Sequence, residues 1–243
     1  MNKSETANDS GEGVRAFVLC GGLGTRLRSV LNDRPKSMAL IGGVPFLELL
    51  LRGLRLQEVK EVVLGTGYRA EQIEGHFQTG AHLGLQLFYS RENEPLGTGG
   101  AVKLAEPLLS DPVAVMNGDS YVEWSLAAMR EIFRREGADI VMVLQAVADV
   151  SRYGSVTIEP DGRVIEFIEK GSNSGAGLIN AGIYLLRKEI VTALPTGRAV
   201  SLERDVFPQF LGKKFFGIVS RGTFIDIGIP DDLQRAQTVL RPA

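Results

Sequence analysis

The chain has 243 residues, 44% of them hydrophobic and 23% charged, with a formal net charge of −2. This is enough apolar material for a large core and excludes a disordered chain, while the balanced charge argues against a nucleic-acid-binding face or a basic membrane-surface helix. A single cysteine, Cys20, excludes an intramolecular disulfide and fits a reducing, cytoplasmic compartment.

Residues 1–13 are polar and lack the apolar stretch of a signal peptide. They are read as a flexible tail ahead of one domain spanning 14–243. No apolar run approaches the ~20 residues that cross a bilayer. Residues 15–20 (RAFVLC) are too apolar to alternate, as expected of a strand buried on both faces, and lead into the glycine-rich GGLGTRLR. A helix is predicted over 45–57, with Pro45 at its start, where a missing N–H costs nothing. EVVLG is a strand, AEQIEGHF a short helix, LQLFYS a strand, and 100–109 another helix. VAVMNGD reads as a strand ending in a polar corner. A helix follows over 126–136, then the strand ADIVMVLQAV. Strands and helices alternating with short connections predict an α/β protein, Rossmann-like, with a mixed but mostly parallel sheet flanked by helices.

Beyond residue 151 the pattern changes, and a small added β subregion is expected. YGSVTIEPDGRVIEFIEK predicts a hairpin turning at Asp161-Gly162. INAGIYLL is a strand, SLERDVFPQFL helical, KFFGIVS and TFIDIG strands, and 230–240 a closing helix. Ligands of such sheets bind at the carboxyl ends of the strands, where both GGLGTRLR and NGD fall.

Gly21, Gly22 and Gly24 after a buried strand let backbone N–H groups converge on an anion. Thr25 lies in the same loop, and Arg26 offers a planar, multi-donor cation for phosphate oxygens. Pro35-Lys36 adds a second cation on a restricted backbone. No G-x-x-x-x-G-K-[ST] occurs, so this is not a Walker loop. A competing pattern, Gly65-Thr66-Gly67-Tyr68-Arg69-Ala70, fits G-x-G-x-x-A and would suit a nicotinamide-dependent oxidoreductase. It follows the second strand, where that fingerprint uses the first, and is read as a tight turn. Asp119 and Asp226 each end an apolar strand beside glycine. Mg²⁺ is commonly held by one or two carboxylates together with substrate phosphate oxygens, so the pair is the candidate metal site.

GGLGTRLR, PKSM, LGTGGA, NGDS, EK, INAGIY and DIGIP, in this order, resemble the nucleotidyltransferases that make nucleotide sugars. The resemblance covers nearly the whole chain beyond residue 14. SRYG, GLINAGIYLL and FIDIGIPDDL are most similar to the D-glycero-alpha-D-manno-heptose 1-phosphate guanylyltransferases, with mannose-1-phosphate guanylyltransferases as near relatives. The resemblance implies transfer of a guanylyl group from GTP to a sugar 1-phosphate with Mg²⁺ as cofactor. By it, Arg26, Lys36 and Asp119 are catalytic and Asp119 and Asp226 hold the metal. Gly97 and Thr98 approach the base with Glu92 nearby, while Gly154, Glu169, Lys170 and Asn180 take the sugar phosphate. Glu92 and Glu94 both remain candidates to accept from the N1–H and N2–H donors of guanine. Ser37 departs from the family's second proline, and Ile229 stands where threonine is frequent; neither removes a charge. Another base or sugar, and a catalytically silent nucleotide-sugar-binding regulator, stay open. So does a homo-oligomer.

Overall fold

The computed structural model describes residues 13–22, 24, 31, 33–168 and 174–240. Its centre is a nine-stranded sheet. β1 (Ala16–Leu19) lies between β4 (Glu61–Thr66) and β6 (Val113–Asn117), and β5 (Gln86–Arg91) forms the edge beyond β4, all parallel. On the other side of β6 the long β11 (Gly177–Leu186) runs antiparallel to both β6 and β8 (Ile140–Val147), and β12 (Phe215–Ser220) closes that edge parallel to β8. The predicted hairpin forms as β9 (Ser155–Ile158) and β10 (Val164–Ile168), attached to the first residues of β11.

Alternate residues of these strands feed two separate cores, which is why the strands read as continuous apolar runs. Ala16 and Val18 face one core, and Phe17 the other. The first core is covered by α1 (Phe46–Leu56), α2 (Ala70–Phe77), α4 (Leu126–Arg135) and α6 (Pro230–Val239), through Leu47, Leu51, Phe77, Met129 and Ala236. The second lies under α3 (Gly97–Leu104), α5 (Lys188–Thr192) and residues 202–210, through Val102, Val191 and Phe207. The predicted α/β architecture, a mixed, mostly parallel sheet flanked by helices, is what the structure shows.

The bounds of one predicted helix are corrected. α3 begins at Gly97, not residue 100, because the carbonyl of Val200 accepts the otherwise orphaned N–H groups of Gly99 (2.9 Å) and Gly100 (3.2 Å). It stops at Leu104 because Pro107 has no N–H to continue the ladder, and a 3₁₀ turn (Glu106–Leu108) follows. Residues 202–210 are helical as expected, in the form of a single π turn and then a 3₁₀ turn around Pro208. Several short elements are additional among the described residues, three of them outside the 3₁₀ turns. One is the hairpin of β2 (Leu40–Ile41) and β3 (Val44–Pro45); another is α5. The third is a two-stranded sheet in which β7 (Ser120–Val122) pairs antiparallel with β13 (Phe224–Asp226).

Candidate active site

The carboxyl ends of β1, β4, β5 and β6 meet at one place. Cys20 N–H donates to the carbonyl of Gly65 (2.8 Å), Gly118 N–H to that of Leu19 (2.9 Å), and Tyr68 N–H to that of Gly21 (3.3 Å). The approach at residue 118 admits no side chain, since a Cβ there would lie 2.5 Å from the Leu19 oxygen. The Gly65–Ala70 turn is thus a brace. Besides holding Gly21, it carries Arg69, whose side chain donates to the carbonyl of Asp33, just ahead of Pro35-Lys36, as does that of Gln72 in α2.

Glu92 stands at the end of β5 with its Oε1 over Gly21, in the space a side chain on residue 21 would need. Its Oε2 accepts from Leu96 N–H at 3.1 Å. Burial pushes its carboxyl above the ordinary value, and the Leu96 bond works the other way. Glu92, Gly21, Gly22, Gly24, Gly97 and Thr98 border one cleft of about 470 Å³. Gly97 holds φ +70°, and a Cβ there would meet the Val200 oxygen at 2.5 Å, so the loop can carry only glycine at that point. Glu94 is exposed and does not border this cleft, which separates the two glutamates the sequence left open.

Next to this cleft, Lys36 Nζ donates to Asp119 Oδ2 at 2.7 Å and lies 3.5 Å from Asp226 Oδ1. The two aspartates come from opposite halves of the chain. The β7–β13 pair sets Asp226 opposite Ser120, and Ile227 N–H donates to the Asp119 carbonyl at 3.0 Å. The Lys36 and Asp226 side chains are 11% and 14% exposed, so these charges sit largely out of solvent and interact strongly. Two carboxylates converging on one cationic atom are hard oxygen donors suited to a divalent ion that completes its shell with phosphate and water. Cys20 borders the same small cavity of about 190 Å³, and burial raises its thiol far above the range of a reactive thiolate.

A third cavity, of about 260 Å³, opens on the far side of Asp119 and is bordered by Gly154, Asn180, Tyr153, Phe224 and Asp226. Its floor is a hydrogen-bonded chain that sequence reasoning missed. Asn180 Nδ2 donates to Tyr184 OH (2.7 Å), which donates to Glu203 Oε1 (3.3 Å). Thr98 and Ser201 hydroxyls donate to Glu203 Oε2 at 2.7 and 2.9 Å. An acidic residue shortly after a capping serine reads as ordinary first-turn chemistry, so Glu203 carried no distinguishing signal. Asp119 borders all three cavities, and Thr98 and Asn117 border the two larger ones.

Of the residues singled out from sequence, Gly21, Gly22, Gly24, Lys36, Glu92, Gly97, Thr98, Asp119, Gly154, Asn180 and Asp226 are brought together here. Thr25, Arg26, Glu169 and Lys170 lie outside the described residues. Tyr153 faces the third cavity.

Known proteins are similar to this chain over most of its length. The D-glycero-alpha-D-manno-heptose 1-phosphate guanylyltransferase of Aneurinibacillus thermoaerophilus is 42% identical over 233 residues, 94% of this chain and 99% of that one. The mannose-1-phosphate guanylyltransferase of Mycobacterium tuberculosis is 38% identical over 93% of this chain, which spans 64% of that longer protein. The crystal structure of HddC from Yersinia pseudotuberculosis superposes with a TM-score of 0.82 at 38% identity, over 94% of this chain and 100% of HddC. HddC has also been solved complexed with GMP-PN. The family model for nucleotidyl transferases matches residues 15–241, so the glycine-walled cleft, the Lys36–Asp119–Asp226 cluster and the fold around them belong to a member of the nucleotidyl transferase family.

Proposed function

We propose that this chain transfers the guanylyl group of GTP to D-glycero-alpha-D-manno-heptose 1-phosphate, giving GDP-heptose and pyrophosphate. The observation that carries this reading is the position of Asp119 on the common wall of three adjoining cavities. The 470 Å³ cleft has room for a base and ribose, the small cavity at Lys36 for phosphates, and the third for a sugar. The names of the relatives at 42% and 38% identity support guanine and a manno-configured sugar.

In this reading Glu92 accepts from guanine N1–H and N2–H, with Gly97 and Thr98 at the start of α3 set against the base. Lys36, together with Arg26, neutralises the triphosphate held against Gly21, Gly22, Gly24 and Thr25. Gly154 and Asn180 face the sugar, and Glu169 and Lys170 take its hydroxyls and phosphate. Asp119 and Asp226 hold Mg²⁺, which when bound neutralises charge on the triphosphate. An oxygen of the sugar phosphate bonds to the α-phosphorus, the bond from that phosphorus to the bridging oxygen breaks, and pyrophosphate leaves with the electron pair. No protein nucleophile is required; alignment and charge neutralisation supply the rate. Residues 14–243 act as one domain in this scheme. A cytoplasmic setting, where both substrates are anionic metabolites, goes with it.

Pyrophosphate release with Mg²⁺ tests the reading, crossing GTP, CTP, UTP, dTTP and ATP against heptose, mannose and glucose 1-phosphates. Release with GTP and heptose 1-phosphate is expected. A different productive pair would move the specificity, and silence throughout would leave a nucleotide-sugar-binding regulator in its place.

A further inference from the structure

Two walls of the third cavity come from segments in different sheets. The β8–β9 connection supplies Tyr153 and Gly154, and β13 supplies Phe224 and Asp226. The first segment is closed on itself at its root. Asp149 Oδ1 accepts from the N–H groups of Ser151 (3.0 Å) and Gly175 (3.1 Å), and its Oδ2 from the Ser151 hydroxyl (2.8 Å). Two contacts then cross from it to the other wall. The Tyr153 ring packs edge-on against Phe224, with centroids 5.8 Å apart at 73°. Arg152 Nη2 donates to Asp232 Oδ2, and the same guanidinium lies 5.5 Å from the centroid of Tyr153.

Asp232 sits in the first turn of α6, a few residues after Asp226, with its side chain 14% exposed. The Arg152 side chain is 47% exposed, so the pair lies at the surface, but a guanidinium–carboxylate bond is directional as well as attractive. It therefore fixes two things together: how far Tyr153 and Gly154 stand from Phe224, and where the chain leaving Asp226 enters α6.

We propose that the Arg152–Asp232 pair is a clasp that sets the width of the third cavity and so positions the sugar 1-phosphate. Neither residue borders the cavity, so both are positioning residues. This inference rests on reading that cavity as the sugar site. Its test is the kinetics of Arg152→Ala, Arg152→Lys, Asp232→Ala and the exchanged double variant Arg152→Asp with Asp232→Arg, together with amide hydrogen exchange over residues 149–154.

Each alanine variant is expected to raise KM for heptose 1-phosphate roughly tenfold, with KM for GTP and kcat held within about threefold. Arg152→Lys falls between, and the exchanged pair recovers most of the loss, as coupled neighbours do. Exchange over 149–154 should quicken in Arg152→Ala and slow again in the exchanged pair. Unchanged exchange in Arg152→Ala would overturn the clasp whatever the enzyme turns over. So would equal rises in both KM values, or an exchanged pair as weak as the two single variants combined. A wild-type protein silent towards all nucleotide and sugar pairs would overturn the functional reading instead, leaving the exchange result to judge the clasp.

Discussion

The two larger cavities that meet at Asp119 are built differently. The Glu92 cleft is walled largely by backbone and small residues, Gly21, Gly22, Gly24, Gly65, Gly97 and Ala101, with the carboxylates of Glu92 and Asp119 on its border. The Asn180 cavity is walled by side chains, Tyr153, Phe167, Asn180, Glu203 and Phe224, delivered by separate strands and turns. Phosphates and the edge of a base can be bound by converging N–H groups, which short loops at strand ends supply. A polyol has no such uniform handle and needs side-chain donors and acceptors placed one by one. One kind of site is written in contiguous motifs, and the other is spread over the chain.

The most severe way to break this contrast is at the charged cluster both sides share. Lys36→Ala should lower turnover by about two orders of magnitude or more, because the charge it supplies acts where negative charge accumulates in the transition state. Circular dichroism should show the fold retained, with a lowered melting temperature, since Asp119 and the largely buried Asp226 lose the cation between them. A near-wild-type rate would remove it from the mechanism.

Gly97→Ala attacks the backbone-built side. Positive φ and a Cβ 2.5 Å from the Val200 oxygen must both be relieved, at about 1–3 kcal/mol. Denaturant titration reads this cost, and GTP binding should weaken with it. Gly22→Ala is its control: a Cβ there meets nothing within 4 Å, so stability should hold while KM for GTP rises.

Glu203→Ala attacks the side-chain-built wall. It leaves the hydroxyl of fully buried Tyr184 without its acceptor, which should cost about 1–3 kcal/mol. Adding Tyr184→Phe should recover part of that loss. Because Thr98 is bonded to the same carboxylate, KM should rise for both substrates, not the sugar alone.

The smallest effect is the pH dependence set by Glu92. Its carboxyl is raised in the folded protein by burial, so the native state holds the proton more tightly than the unfolded chain. Its contribution to stability therefore falls as pH rises from the usual carboxylate range through the raised value. GTP affinity should move the opposite way, improving as the acceptor carboxylate forms. Glu92→Gln should flatten both trends, measured by melting temperature and GTP binding against pH. Trends that persist in the variant would assign them to another group.

The contrast also explains what was legible in the sequence. β1, the glycine loop, the Asn117-Gly118-Asp119 corner and the Asp161-Gly162 hairpin are local, and apolar runs and turn chemistry marked them. Asp226 could be singled out as a strand-end carboxylate, but not the β7–β13 pairing that carries it to Lys36. Strands of three residues have too little pattern to declare a partner. Glu203 is a first-turn residue and Tyr184 a core residue, and only their convergence reveals the hydrogen-bonded chain they share with Asn180. The Gly65–Ala70 pattern resembled a cofactor loop because it is one kind of tight, close-packed turn, and here it braces Gly21 and the approach to Lys36 instead.

Formation of GDP-heptose from GTP and D-glycero-alpha-D-manno-heptose 1-phosphate, compared between the wild-type protein and Asp119→Asn at matched melting temperature, tests the central claim most directly. The arrangement around Asp119 requires product from the wild type and a rate at least about a hundredfold lower in the variant. Equal rates, or no GDP-sugar from the wild type, would contradict it.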